Sequence, residues 1–167
     1  IINASHVVLP GVGAFGDAMI SLERMNMIDT IFKAVKQGKP FLGICLGMQL
    51  LFDRSFEGGI HTGLQLISGE IKKIPEQPGL KIPHMGWNKL NYRQNPLFEG
   101  LGDEPYVYFV HSYYLETQDT KYVIGTVNYG SEISVAVNRD NIFGLQFHPE
   151  KSGNIGLQII KNFGGIR

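Results

Sequence analysis

Hydrophobic positions in the first third of the chain alternate between short apolar runs and stretches with helical spacing. Residues 6–9 form an apolar run that ends at a Pro-Gly pair, which predicts a buried strand entering a loop. Residues 17–37 carry apolar side chains at a helical period, and Gly38 follows, which predicts one helix with a glycine C-cap. A second apolar run at 40–44 predicts another strand, and residues 46–52 predict the first turns of a buried helix. This alternation of strand and helix predicts a parallel sheet covered by helices.

The second half of the chain has a different pattern, in which short apolar segments are separated by Gly, Pro, Asn and Asp. Such spacing predicts strands joined by turns, and a helical pattern returns only over residues 154–163. We therefore expect one α/β domain over residues 1–167, with a mostly parallel sheet, an antiparallel insertion and a closing C-terminal helix. The predicted strands are 70–74, 87–92, 106–114, 123–128, 133–137 and 142–147.

Composition and charge narrow the class of protein. Lys plus Arg and Asp plus Glu both number 15, so the net charge is zero and argues against nucleic acid or an anionic membrane as partner. Hydrophobic residues make up 43%, which is enough to build a core, but no apolar stretch is long enough to span a bilayer. Cys45 is the single cysteine, which fits a reducing compartment, and with no signal-peptide pattern visible we expect a cytoplasmic protein.

The strongest chemical signal is the G-x-C-x-G pattern of residues 43–47, at the predicted junction of a strand and a helix. It has the form of a nucleophile elbow with cysteine in place of serine, because the glycines permit a sharp turn that exposes Cys45. The helix dipole is expected to favour the thiolate, and the N–H of Leu46 could serve as one oxyanion donor. The alternative is a buried, unreactive cysteine in a tight turn.

A second signal stands far downstream, where His148 and Glu150 flank Pro149 at the end of an apolar strand. In extended backbone, residues two apart project to the same side, so the carboxylate could orient the imidazole that deprotonates a thiol. Both motifs would end at the carboxyl edge of a parallel sheet, where ligands bind. Residues 10–13, Pro-Gly-Val-Gly, could supply a second oxyanion donor, although alone they are typical of an ordinary turn.

These residues resemble the class I, triad-type glutamine amidotransferases. The resemblance is carried by the G-x-C-x-G-x-Q pattern of residues 43–49, with Gln49 last, and by His-Pro-Glu at 148–150. Segments 10–19, 85–88, 109–113 and 148–152 further resemble the glutaminase subunits of imidazole glycerol phosphate synthases. Those subunits begin with a further strand and helix, so we expect the present chain to lack its first βα unit.

The resemblance implies a flavodoxin-like three-layer fold and hydrolysis of L-glutamine to glutamate and ammonia through a γ-glutamyl thioester. It makes Cys45 the nucleophile, His148 the general base and acid, and Glu150 the group that orients the imidazole. Leu46 with Val12 and Gly13 would form the oxyanion hole, and no metal or organic cofactor is implied. The glutamine-binding residues implied are Gln49, Glu57, Ser112 and Tyr113.

The same resemblance implies a partner protein. Ammonia released into water would largely become ammonium, so a closed route to a synthase is physically sensible. In the family this partner is a (β/α)8 barrel that makes imidazole glycerol phosphate and an aminoimidazole carboxamide ribotide in L-histidine biosynthesis, which implies a heterodimer. Candidate contact residues are Met85, Trp87, Tyr108 and Lys151, with core packing as the alternative for the two aromatic residues and a solvated charge for Lys151.

Three other hypotheses stay open at this point. A glutaminase subunit could feed another acceptor, such as an amidated surface sugar. A stand-alone thiol hydrolase could act on peptides or γ-glutamyl chains, and a non-catalytic binding module could keep the fold. The remaining histidines, His6, His61, His84 and His111, carry no catalytic expectation, and His111 is expected to be structural.

Overall fold

A computed structural model describes all 167 residues, from Ile1 to Arg167. The first part of the chain alternates strands and helices: β1 (Val7–Gly11), α1 (Phe15–Arg24), α2 (Met27–Lys36), β2 (Phe41–Cys45) and α3 (Leu46–Gln49). The rest is mainly strands: β3 (Arg54–Ser55), β4 (His61–Thr62), β5 (Glu70–Lys73), β6 (His84–Lys89), β7 (Asn91–Tyr92), β8 (Tyr106–His111), β9 (Tyr113–Glu116), β10 (Val123–Tyr129), β11 (Ser131–Arg139) and β12 (Ile142–Leu145). The chain closes on α4 (Gly153–Gly165). None of these helices combines the length and hydropathy needed to cross a membrane.

Ten strands form one mixed sheet in the order β1-β2-β12-β11-β9-β5-β3-β4, with β10 pairing to β11 and β7. Parallel pairing joins β1 to β2, β2 to β12 and β3 to β5. The other strand pairs are antiparallel, including β6 with β8, which form a separate two-stranded sheet. The predicted α/β class with an antiparallel part is confirmed, and that antiparallel part is more extensive than an insertion alone.

Helices cover both faces of the sheet, which gives the three layers. Successive residues of a strand point to opposite faces, so Phe41 packs in the core that includes side chains of α1 and α2. Its neighbour Leu42 packs in the other core, which includes Ile159 and Phe163 of α4. Because β2 is buried on both faces, its sequence is a continuous apolar run rather than an alternation.

The single helix predicted over residues 17–37 is wrong, since the chain forms two helices there. Asn26 adopts a left-handed conformation with φ of 54° between α1 and α2. Asparagine tolerates this conformation better than most residues. Leu22 before the break and Ile31 after it pack in the same core, so the apolar pattern does not reveal the break. The predicted glycine C-cap is confirmed, because Gly38 follows α2 with φ of 75°.

Three other predicted elements differ from the structure. The helix begun at Leu46 ends after one turn, because the carbonyls of Leu50 and Leu51 accept hydrogen bonds from Leu64 and Leu66 instead. The strand predicted over 106–114 is divided at Ser112, where the chain passes from the small sheet to the large one. The strand predicted over 87–92 is likewise divided into β6 and β7, which belong to different sheets.

Candidate active site

Cys45 lies at a sharp turn between β2 and α3. Its φ of 54° and ψ of −112° are unusual for a residue with a side chain, as at a nucleophile elbow. A Cβ atom on Gly47 would lie 1.7 Å from the carbonyl oxygen of Leu9, and one on Gly43 would lie 2.5 Å from the carbonyl oxygen of Gly47. The pattern G-x-C-x-G is therefore required by the close packing of the turn against β1 and against itself.

His148 follows β12 and is held from several sides. Its Nδ1 lies 2.6 Å from Oε1 of Glu150, its N–H donates to the Tyr108 carbonyl at 2.9 Å, and its carbonyl accepts from Ser152 Oγ at 2.6 Å. The pairing with Glu150 arises in the turn Pro149–Lys151 rather than along an extended strand end, which corrects the predicted geometry. Since Nδ1 faces a carboxylate and carries the proton, Nε2 is the basic nitrogen, and it is buried without a hydrogen-bond partner in the protein.

Cys45 and His148 line one pocket of about 380 Å³. Glu150 contacts His148 but does not line the pocket. No group of three or more His, Cys, Asp or Glu side chains in the structure could hold a metal ion. Besides Cys45 and His148, the predicted site residues that line the pocket are Val12, Gly13, Leu46, Gln49, Glu57, Ser112, Tyr113 and Lys151, and residues that were not predicted are Pro83, Val110 and His111.

Gln146 is a buried residue beside the pocket to which the sequence analysis gave no role. Its Nε2 donates to the Sγ of Cys45 at 3.8 Å, and its Oε1 accepts from Nε2 of Gln49 at 2.9 Å. Gln49 also donates to the carbonyl of Tyr113 at 3.3 Å. A signal was available, because Gln146 stands two residues before His148 at the end of the strand predicted over 142–147, where residues two apart would project to the same side.

The thiol of Cys45 is neutral at ordinary pH. Burial raises its pKa above the usual value, and the negative charge of Glu150 raises it further. The N–H of Leu46, the charge of Lys151 and the amide of Gln146 oppose this increase without cancelling it. The start of α3 does favour the thiolate, as expected, through the N–H of Leu46, but burial outweighs this contribution and the pKa stays raised.

Glu57 connects the pocket to the start of α1. Its Oε2 accepts a hydrogen bond from the backbone N–H of Phe15 at 2.9 Å. Phe15 is the first residue of α1, so the carboxylate satisfies one of the free N–H groups at the helix N-terminus. Just before it, Gly13 has φ of 95° and Val12 is exposed, so the glycine-rich turn forms the rim of the pocket.

The four candidate contact residues lie on β6, on β8 and in the turn after His148. Met85 and Trp87 are 62% and 55% exposed, so neither packs in the core. The ring of Trp87 meets Tyr108 edge to face at 6.1 Å, and Nζ of Lys151 lies 5.8 Å from the Tyr108 ring centre. Trp87, Tyr108 and Lys151 therefore form one continuous surface, which we call the aromatic surface, next to the candidate pocket.

Comparison with known sequences identifies a family over nearly the whole chain. The family model for class-I glutamine amidotransferases matches residues 3–164. A protein of Moorella thermoacetica named imidazole glycerol phosphate synthase subunit HisH is 49% identical over 167 residues, which cover 99% of this chain and 79% of that protein. A protein of Sulfurimonas denitrificans with the same name is 52% identical over 160 residues, which cover 94% of this chain and 77% of that protein.

Solved structures share the fold at low sequence identity. A structure of PurLQS from Thermotoga maritima matches with a TM-score of 0.74 at 21% identity, over 99% of this chain and 81% of that one. A glutamine amidotransferase from the same organism matches with a TM-score of 0.66 at 20% identity, over 99% of this chain and 64% of that one. The predicted fold class is thereby confirmed.

Proposed function

The chain belongs to the class-I glutamine amidotransferase family, and from that premise we propose that it is the glutamine-hydrolysing subunit of an imidazole glycerol phosphate synthase in histidine biosynthesis. Relatives that share about half of its residues over nearly its whole length are named imidazole glycerol phosphate synthase subunit HisH. The observation that carries the proposal is one pocket that joins the strained Cys45, the unpartnered Nε2 of His148 and the residues expected to bind glutamine.

The first step is attack of the Cys45 sulfur on the side-chain carboxamide carbon of glutamine. Because the thiol is neutral, its proton moves to Nε2 of His148 as the carbon–sulfur bond forms. The carbonyl electron pair moves onto oxygen, which faces the N–H of Leu46 and the turn of Val12 and Gly13. Glu150 keeps Nδ1 protonated and so holds Nε2 in the basic form.

The second and third steps return the proton and release the products. The imidazolium of His148 donates its proton to the amide nitrogen, the carbon–nitrogen bond breaks, and ammonia leaves a γ-glutamyl thioester on Cys45. Water then attacks the thioester carbon while Nε2 of His148 removes one of its protons. The carbon–sulfur bond breaks, the sulfur takes the proton from His148, and glutamate is released.

Glutamine is bound by Glu57 and by three further polar residues that line the pocket. One carboxylate oxygen of Glu57 is occupied by the N–H of Phe15, which leaves the other for the substrate α-ammonium. Gln49, Ser112 and Tyr113 also line the pocket and offer an amide and backbone groups to the rest of the substrate. Convergent polar groups of this kind fix the orientation of a polar small molecule in its pocket.

The partner is a (β/α)8-barrel synthase in a heterodimer, which docks on the aromatic surface and Met85. Exposed tryptophan and tyrosine are enriched in the residues that anchor protein interfaces. The aromatic surface adjoins the turn that carries His148, so a docked partner would cover the route by which ammonia leaves. That arrangement keeps ammonia unprotonated until it reaches the synthase.

The proposal is tested by mixing the chain with its barrel synthase and measuring glutamate release and synthesis. We expect Cys45→Ala to abolish glutamine-dependent synthesis and to leave synthesis from added ammonium intact. Lys161→Ala, on the exposed side of α4, is a matched surface control that leaves both activities unchanged. Full glutamine hydrolysis without the synthase would favour a stand-alone hydrolase, and failure of the complex to use glutamine would overturn the proposal.

A further inference from the structure

Two buried histidines outside the proposed triad contact each other between β6 and β8. His84 and His111 are paired in register, and Nδ1 of His84 lies 3.0 Å from Nε2 of His111. Their exposed fractions are only 3% and 6%. The ring of His84 is stacked between Tyr129 at 3.9 Å and Phe109 at 4.5 Å, which fixes its plane. Because both imidazoles are buried away from water, their protons must be placed so that the ring nitrogens find hydrogen-bond partners within the protein.

The contacts assign one tautomer to each ring. Nδ1 of His111 lies 2.8 Å from the carbonyl oxygen of Tyr113, which can only accept, so this nitrogen carries a proton. In the neutral ring Nε2 of His111 is then an acceptor, and Nδ1 of His84 donates to it. Nε2 of His84 is left as an acceptor that faces the amide of Asn88 at 3.4 Å. Burial lowers the pKa of both histidines to about 4, so the neutral pair persists at ordinary pH.

The Tyr113 carbonyl links this pair to the candidate active site. The same oxygen accepts a hydrogen bond from Nε2 of Gln49 at 3.3 Å. Gln49 also donates to the side chain of Gln146, which in turn donates to the Sγ of Cys45. The Tyr113 carbonyl accepts a hydrogen bond from His111 and another from Gln49, and it has no proton to pass on. The hydrogen bonds from the histidine pair to Cys45 therefore cannot relay a proton. They can only fix the positions of the groups that they join.

We propose that His111, held in one tautomer by His84, is a positioning residue that fixes the Tyr113 carbonyl and through it the side chain of Gln49 in the glutamine pocket. The inference deepens the proposed function and rests on it. It goes beyond the expectation from the sequence that His111 is structural only. Without the N–H of His111, the Tyr113 carbonyl is held only by Gln49 and is no longer fixed in position. The side chain of Gln49 is then less well positioned, and the protein binds glutamine less well.

Steady-state kinetics of glutamine hydrolysis, with the synthase present, separate positioning from a general loss of structure. We expect His111→Leu to raise KM for glutamine about tenfold, the fold-change for one ordinary hydrogen bond, with kcat within about twofold. His111→Asn keeps an N–H near the position of Nδ1 and restores KM to within about threefold of the wild type. His6→Leu is the matched control, since His6 also bonds a backbone carbonyl, that of Ile166, but far from the pocket, and KM stays unchanged.

A fall in kcat with unchanged KM in His111→Leu, or equal effects of His111→Asn and His111→Leu, would overturn the inference.

The ring nitrogens of the two histidines give a second readout, by NMR, that does not depend on activity. In uniformly ¹⁵N-labelled protein, both rings should show the neutral Nδ1–H tautomer. His84→Leu should shift the side-chain amide signal of Gln49 in the same protein. An Nε2–H tautomer of His111 or an unmoved Gln49 signal would contradict the inference. Wild-type protein that hydrolyses no glutamine would instead overturn the proposed function, while the amide signal still tests the positioning.

Discussion

Cys45 combines a strained backbone with a thiol whose pKa is raised. The turn exposes the sulfur to the pocket, while burial and the charge of Glu150 keep the proton on it. A resting nucleophile of this kind reacts only when a base removes its proton at the moment of attack. The buried Nε2 of His148, which has no partner in the protein, is suited to that role.

Because Cys45 is the only thiol, its ionisation can be followed directly. We expect the rate of alkylation by iodoacetamide to rise with pH with a midpoint above that of an ordinary cysteine, about 8.5. Glu150→Gln should lower the midpoint, because it removes the negative charge that disfavours the thiolate. The unfolded chain in urea is the control and should titrate at the ordinary value. A midpoint in the folded chain below that of the unfolded chain would contradict the assignment.

Sequence reasoning at the scale of single residues found the groups whose chemistry is visible in short motifs. Cys45 and His148 could be placed at strand ends and joined, and the structure brings them to one pocket. Gln146 was given no role, since it meets Cys45 and Gln49 only in the folded chain. His111 was expected to be structural, and its contact with His84 on β6 likewise forms only in the folded chain. Whether a histidine is structural or positions a substrate depends on what its ring faces, and the sequence does not contain that geometry.

At the scale of elements, the turn from β2 to α3 is fixed by contact with β1. The position of Gly47 admits no side chain, since a Cβ there would lie 1.7 Å from the carbonyl oxygen of Leu9. The parallel pairing of β1 with β2, which extends to Gly11 opposite Cys45, holds this contact in place. The nucleophile and the glycine-rich turn after β1 are consequently positioned by one pair of strands.

Gly47→Ala should lower the free energy of unfolding by about 3 kcal/mol or more, because either β1 or the elbow must move to admit the methyl group. Gly164→Ala is the matched control, since a Cβ there meets nothing within 4 Å and alanine is the better helix former. Its stability should be unchanged or higher by up to about 1 kcal/mol. Urea unfolding of the two variants measures the difference, and equal stabilities would show that the elbow does not require glycine at this position.

The sequence predicted the type of the main helices and strands correctly, but not always the residues at which they begin and end. The strand pattern of β2 and the C-cap at Gly38 could be read from the sequence, because local propensity and burial agree there. The break at Asn26 could not, since α1 and α2 face one core and preserve the apolar period across it. The division at Ser112 depends on which sheet each half joins, and that is decided by strands far away in sequence.

For the whole molecule, the neutral histidine pair predicts sensitivity to acid. In the unfolded chain a histidine binds a proton below about pH 6.5, whereas His111 in the folded chain binds one only near pH 4. The unfolded state therefore gains protons first as pH falls through this window, and stability is lost. The loss from His111 is about 3 kcal/mol between pH 6.5 and 4, and His84 adds to it in the same direction.

Urea unfolding at a series of pH values measures this loss, and His111→Asn, which cannot titrate there, should show a shallower dependence. Charge on His84 or His148 acts on His111, so the comparison is made at fixed ionic strength to keep these interactions constant. A variant with the same pH dependence as the wild type would show that the pair does not stay neutral in the folded chain.

Trp87 gives the molecule a fluorescence signal from one defined position. It is the only tryptophan in the chain, and its indole is largely open to solvent beside the ring of Tyr108. Light absorbed by indole is therefore emitted from a single point on the aromatic surface, and from no other part of the molecule. The protein thus carries a built-in optical probe at the place where a partner would dock, and its colour and brightness register whether that place is wet or covered.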